Sequence, residues 1–387
     1  MFVDMTLQRN EGLIRTAAIL HQRGDIPANT YVIDADGLMH NARVLSEMAE
    51  QYDMTLYYMT KQIGRSGYAG KLIEQCGIRQ AVAVDIDEAY ALSEAGCRIG
   101  NIGHIVQPSK SQWADVLRQI KPEVVTLFSL ERAVQLSEAA VALGRVQDVI
   151  LRVIRPGDAI FPGQFGGFLL HELERLLPEL MKLRGIRIVG ATSFPVLQIN
   201  AENTDFAFTP NLETLLTAVE TLRTHGIEIR QVNAPSATSC HTIPLLKRHG
   251  VTHGEPGHAL TGTTPLHAFN DRLPELPSIV YASEISHMDD EYAYTIAGGF
   301  YPRSHMQQAL YGSTPRDIAF QKAKVSQYSA ENIDYYGCLE REQPMKVGDT
   351  VIYAFRTQIF VTRAHVAYVR GVNSLKPELV HFQKRGM

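Results

Sequence analysis

The chain has 387 residues, 45% of them hydrophobic, which is enough for a large buried core and too long for one small domain. Its 37 basic against 41 acidic residues leave a formal charge of −4 with no run of Lys and Arg, which argues against nucleic acid and anionic lipid as partners. The opening MFVDMTLQRNEG lacks a basic stretch followed by an apolar run and a small-residue cleavage site, and no later segment approaches the length of a membrane span, so a cytoplasmic protein is expected. The cysteines, Cys76, Cys97, Cys240 and Cys338, form no CxxC pair and read as free thiols.

In chain order, Leu7 to Arg23 reads as an amphipathic helix, Thr30 to Asp34 (TYVID) as a strand and Leu38 to Glu50 as a second helix, making a lead-in over residues 1–53. From residue 54 to about 270 short β-branched runs alternate with helical periodicity. The candidate strands are Met54 to Thr60, Gln80 to Val84, Ile102 to Val106, Val124 to Phe128, Val149 to Ile154, Ile186 to Ala191, Ile227 to Val232 and Val251 to His253. Between them Asp87 to Ala95 and Glu131 to Leu143 are helices stopped by Gly96 and Gly144. Eight βα repeats favour a (β/α)8 TIM-type barrel, with a doubly wound open sheet as the alternative. Residues 271–387 change texture to strand-like runs, Glu291 to Ile296, Thr350 to Phe355 and Ile359 to Tyr368, and predict a mostly β domain joined by the early strand near residues 28–36.

Catalytic groups of such a barrel follow its strands. In MTLYYMTKQIGR the first strand delivers Lys61, where apolar walls would lower the amine's pKa as an imine-forming lysine requires. Taken alone, a lysine there also fits a side chain snorkelling to solvent. The eighth strand leads into GVTHGEPGHALTG, where Glu255 is placed to hold the proton on a pyridine nitrogen, and the amides of Gly257 and His258 to hold a phosphate. Glu-Pro-Gly is also ordinary turn chemistry. After the seventh strand VNAPSATS offers Ser236 as a phosphate contact, or as a polar loop that caps a helix.

These stretches resemble the alanine-racemase-like (fold type III) family of pyridoxal-phosphate enzymes, and more closely its YhfX-like branch. TYVIDADGLMHNARVL is similar to the family's opening strand and helix, YMTKQIGRSGYAGKLIEQCG to its lysine strand, and QAVAVDIDEAYALSEAG to its second βα unit. The resemblance implies pyridoxal 5'-phosphate as cofactor, carried by Lys61, and a homodimer with a composite site. Where the racemases have Arg-Pro-Gly and the decarboxylases Glu-Pro-Gly-Arg, this chain has Glu255-Pro256-Gly257-His258, so Glu255 falls on the pyridine-nitrogen position and His258 departs from the phosphate arginine. DYYGCLEREQPMKVGDTVIYAFRTQIFV is similar to the decarboxylases' β-domain and puts Cys338 on the position of a cysteine that reaches the partner's site. The racemases' tyrosine four residues after the lysine is Arg65 here, a group that suits a phosphate or a carboxylate, and Arg356 and Thr357 stand where the family has an aromatic.

The expected activity is therefore at the α-carbon of an amino acid or amine, racemase- or epimerase-like. The alternatives are a decarboxylase, to which Glu255 and Cys338 incline, and a protein that binds or delivers pyridoxal phosphate without turning over amino acids. A metal-dependent hydrolase using His104, His241, His253 and His258 lacks an HxH or HExxH pair, so no metal site is expected.

Overall fold

The computed structural model describes residues 1–300, 304, 306–326, 331–374 and 376–385. The chain divides into two compact units, one of Arg43–Thr60 and Arg65–Gly257, the other of Met1–Ala42, Lys61–Gly64 and His258–Met387.

The first of these units is a closed barrel of eight parallel strands: Thr55–Met59, Gln80–Ala83, Ile99–Ile102, Val124–Leu127, Gln147–Ile154, Ile186–Thr192, Gln231–Asn233 and His253–Gly254. Each pairs with the next, and His253–Gly254 returns to pair with Thr55 and Leu56, which settles barrel over open sheet. Inside, Tyr57, Met59, Val82, Val84, Val124, Ile150 and Val189 form one apolar cluster. The helices Ile86–Glu94 and Leu130–Ala142 start on side-chain caps from Asp85 and Ser129. Gly96 and Gly144, just beyond their ends, take positive φ of 75° and 64°.

Three barrel strands lie away from their expected places; the eighth is His253–Gly254 against the expected Val251 to His253. The third occupies Ile99–Ile102 and not Ile102 to Val106, because Gly103 turns to φ 85° and ends the extension, leaving Val106 exposed. The seventh is Gln231–Asn233; Ile227 to Arg230, expected to belong to it, alternate half-buried and exposed residues on the approach from the helix Asn211–Thr224.

The second unit is mostly β beyond its N-terminal helix. Its strands run in the order Lys322–Lys324, Gln308–Gly312, Thr350–Tyr353, Ile279–Met288, Thr30–Asp34, His365–Arg370 and Glu378–Gln383, with Tyr292–Ile296 and Tyr336–Glu340 branching from Ile279–Met288. Thr30–Asp34 pairs antiparallel with Ile279–Ala282 and parallel with His365–Val369, so it lies inside this sheet. The helix Phe2–Gln22 begins five residues before the expected Leu7; its Leu13, Ile14, Ala17 and Ala18 pack on Val32, Val280, Ile352 and Ala367. Ile359 to Tyr368, expected as one strand, is a 3-10 turn at Ile359–Val361 followed by the strand His365–Arg370.

Candidate active site

Within the barrel the eighth strand ends at Gly254, and Glu255 follows with 3% of its surface exposed. Its Oε1 accepts hydrogen bonds from Asn101 Nδ2 at 3.0 Å and Asn233 Nδ2 at 2.9 Å. Thr126 Oγ1 donates to Asn101 Oδ1 at 2.9 Å, and the Glu255 amide donates to Thr238 Oγ1 at 3.0 Å. His104 Nε2 lies 3.6 Å from Glu255 Oε2. Residues of the third, fourth, seventh and eighth strands and the loops after them thus converge on one carboxylate, a buried polar network rigid enough to aim it.

A second polar feature of the same barrel is Arg152, on the fifth strand and only 1% exposed. Its Nη2 donates to the Gln164 carbonyl at 2.6 Å and its guanidinium sits 4.7 Å from the centroid of the Phe128 ring. Among the described residues its Nε and Nη1 have no hydrogen-bond partner. Burial without a compensating charge lowers its pKa to about 10. Arg152 pairs in register with Thr192, and Thr192 with Asn233; Thr192 Oγ1 and Asn233 Oδ1 are likewise buried without partners. The row Arg152, Thr192, Asn233 therefore presents donors and acceptors that the described protein groups leave unused, which suits a polar, negatively charged molecule.

Four residues singled out from the sequence lie in this unit. Glu255 is at the centre of the network just described. Ser236, buried, accepts the Val196 amide on its Oγ at 2.6 Å, so its side chain holds a neighbouring loop. Gly257 is buried at the end of the Glu-Pro-Gly turn, whose Pro256 carbonyl accepts the Met59 amide at 2.9 Å. Arg65 is half-buried, has φ 55° and forms an ion pair with Asp85.

Lys61, His258 and Cys338 belong to the other unit. Lys61 opens a single 3-10 turn, Lys61–Ile63, and its Nζ is 5.9 Å from the centroid of the Phe360 ring. The following carbonyls are gripped one by one: Gln62 O by Thr357 Oγ1 at 2.9 Å, Ile63 O by Tyr368 OH at 3.0 Å and Gly64 O by Gln383 Nε2 at 3.1 Å. His258 is half-buried with Thr263 Oγ1 at 3.3 Å and Gln358 Nε2 at 3.4 Å. Burial, and then the charges of Arg356 and Lys61, hold its pKa well below the usual histidine range, so the ring is neutral. Cys338 lies half-buried on the strand Tyr336–Glu340, in register with Tyr294, and burial pushes its thiol pKa up.

The remaining histidines of the metal alternative are dispersed. His104 faces Glu255, His241 Nε2 pairs with Asp205 at 2.7 Å, and His253 Nδ1 is 2.8 Å from Thr252 Oγ1. Among the described residues no group of three or more His, Cys, Asp or Glu is arranged to hold a metal. No helix there is long and apolar enough to cross a membrane.

A family model described as the alanine racemase N-terminal domain matches residues 33–265, and one described as the YhfX-like C-terminal domain matches residues 280–379. The chain belongs to the alanine-racemase-like family, in its YhfX-like branch. It is 40% identical to the uncharacterized protein YhfX of Escherichia coli (strain K12) over 380 residues, 98% of this chain and 97% of that one. In fold it is similar to an alanine racemase of Clostridium difficile 630 in complex with cycloserine, with TM-score 0.64 and 19% identity over 92% of this chain and 98% of that one. It is similar also to a D-threonine aldolase from Filomicrobium marinum, with TM-score 0.69 and 15% identity over 93% and 95% of the two chains.

Sequence reasoning missed Asn101, Asn233 and Arg152. The first two fell outside or beyond the ends of strands read slightly out of place. Arg152 lay inside a correctly read strand, and the signal was available: it shares a face with Ile150, which the barrel interior buries.

Proposed function

We propose that the protein is a pyridoxal 5'-phosphate-dependent enzyme acting at the α-carbon of an amino acid, racemase- or epimerase-like, with Lys61 as the amine that carries the cofactor. The observation that supports this most directly is Glu255, a buried carboxylate anchored by two asparagine amides at the end of the barrel strand that pairs with the one leading to Lys61. The unused donors of Arg152 fit an anionic, oxygen-bearing group, as the cofactor and an amino acid both provide. When bound, pyridoxal phosphate supplies an electron-withdrawing ring that takes up the electron pair left at the α-carbon.

The chain's own residues divide the work. Lys61 is the covalent anchor, and its Nζ moves the proton on one face of the α-carbon. Glu255 holds a proton on the ring nitrogen; its two amide partners fix the carboxylate's direction. Arg152 would bind a carboxylate or phenolate oxygen, and the Gly257 and His258 amides and Ser236 would be the groups to hold the phosphate. Arg65 is assigned to an anionic group at the rim, in competition with its pairing to Asp85. Cys338, protonated at neutral pH by its raised pKa, serves as proton donor on the opposite face, contributed by the second subunit of a homodimer.

Decarboxylation is the second reading, favoured by Glu255 itself: a carboxylate at the ring nitrogen suits any reaction that leaves a full carbanion. The aldolase likeness adds carbon–carbon cleavage to the chemistries this fold supports. A protein that holds pyridoxal phosphate without turnover would form the Lys61 adduct and exchange no substrate proton.

The test is the absorption spectrum of protein incubated with pyridoxal phosphate, followed by borohydride reduction and peptide mapping. A visible band that collapses into a reduced adduct on Lys61, absent in Lys61→Ala, is expected. Colourless protein with no adduct on Lys61 would overturn the reading. Amino acids screened in deuterated water then separate α-proton exchange from carbon dioxide release. For the dimer, mixing inactive Lys61→Ala and Cys338→Ala proteins should restore about a quarter of wild-type turnover, since half the dimers become mixed and each has one intact site.

A further inference from the structure

Glu88 lies in the first turn of the helix Ile86–Glu94, a place where a glutamate ordinarily faces water, yet it is completely buried. Both of its oxygens are committed. Oε1 accepts the Thr60 hydroxyl at 2.6 Å and Oε2 accepts the Val84 amide at 2.9 Å. Burial raises its pKa, an expense in stability that a merely structural position has no need to carry.

The contacts around it have a common object. Thr60 is the residue before Lys61, and its own carbonyl accepts the Arg65 amide at 3.0 Å, closing the base of the Lys61–Gly64 segment. Arg65 in turn pairs with Asp85, the cap of the same helix, whose Oδ1 accepts the Glu88 amide at 2.9 Å. The segment therefore leaves the barrel at a residue held by Glu88 and returns at one held by Asp85. Its return passes through two consecutive left-handed residues, Gly64 at φ 88° and Arg65 at φ 55°, so the closure is conformationally demanding and depends on the base being gripped.

We infer that Glu88 is the positioning residue of Lys61: by fixing the Thr60 side chain it sets the direction in which the next residue leaves the strand. The inference rests on the cofactor role proposed for Lys61. A lysine amplifies any change of backbone direction along its length, and misplacement of a reacting atom by about 1 Å slows a reaction by about a hundredfold. Glutamine retains both links, since the Thr60 hydroxyl can turn to accept from the amide; leucine retains neither.

The experiment measures the pH dependence of Lys61 acylation by peptide mass spectrometry in protein without added cofactor, and the rate of reduced-adduct formation with pyridoxal phosphate and borohydride. Glu88→Leu and Thr60→Val should shift the acylation profile by about half a pH unit or more and slow adduct formation by about tenfold. Glu88→Gln and Thr60→Ser should stay within about twofold of wild type, because the hydrogen bonds survive. Should Glu88→Leu fail to fold, Thr60→Val, a smaller change, decides alone. Wild-type acylation profiles in Glu88→Leu and Thr60→Val, whatever happens to their melting temperatures, would reduce Glu88 to a fold-stabilising group and overturn the inference. An absent adduct in the wild type would instead sink the cofactor reading, and the acylation profiles would still decide the role of Glu88.

Discussion

On the proposed function, the Arg152 charge is a cost to the protein alone and a benefit once an anionic group is bound. A buried charge with no carboxylate partner is destabilising, and the Phe128 face and one carbonyl offset part of that. Arg152→Met, similar in volume and free of the charge, should therefore leave the unfolding midpoint in urea unchanged or higher. The same variant should bind pyridoxal phosphate, or an amino acid in the loaded enzyme, about 10- to 100-fold more weakly, the worth of a charge-assisted hydrogen bond or two. Unchanged affinity alongside unchanged stability would make Arg152 a bystander of the barrel interior. At this scale legibility varied with chemistry. Glu255 stood out in the sequence because Glu-Pro-Gly punctuates the end of a strand, whereas an asparagine beside a strand edge, such as Asn101 or Asn233, has no signal until the register is known.

Strand placement decides which residues face inward, and the barrel's register depends on small residues where strands crowd. At Gly190, on the sixth strand, an added Cβ would lie 1.8 Å from the Gln231 carbonyl oxygen, a backbone atom of the neighbouring strand that cannot step aside. Gly190→Ala should therefore cost about 3 kcal/mol or more, read from urea unfolding, and should loosen the strand that carries Asn233. A variant as stable as wild type would mean that the sixth and seventh strands separate freely there. Eight βα repeats were legible because β-branched runs, helical spacing and glycine stops recur in a fixed order. The edges of the third and seventh strands were not, because propensity favours the apolar Ile105, Val106, Ile227 and Ile229, while the fold ends one strand at the positive φ of Gly103 and begins the other only after Arg230. Packing against neighbours, absent from any local window, overrode the preference.

Across the whole molecule, burial of histidines ties folding to pH. His253, on the last barrel strand beside Tyr57, has its pKa lowered by burial from 6.5 to about 4. The unfolded chain takes up this proton near pH 6.5 and the folded chain only near pH 4, so stability is intact above the unfolded value and falls as pH drops between the two. The gap, 6.5 less about 4, corresponds to about 3 kcal/mol at 1.36 kcal/mol per unit. His258 and His21, lowered chiefly by burial, act in the same sense. Asp34 and Glu88 act in the opposite one, because their raised pKa values make the fold bind protons before the unfolded chain does, and part of the loss is offset. The net acid limb therefore does not isolate any one group, but a difference between variants does. His253→Gln, able to reach the Thr252 hydroxyl, should unfold at a urea concentration whose difference from wild type is constant above about pH 7 and moves in the variant's favour as pH falls towards 4. Parallel midpoints over the whole range would mean that His253 takes up its proton equally in both states, and would place the origin of any acid instability in the carboxylates instead.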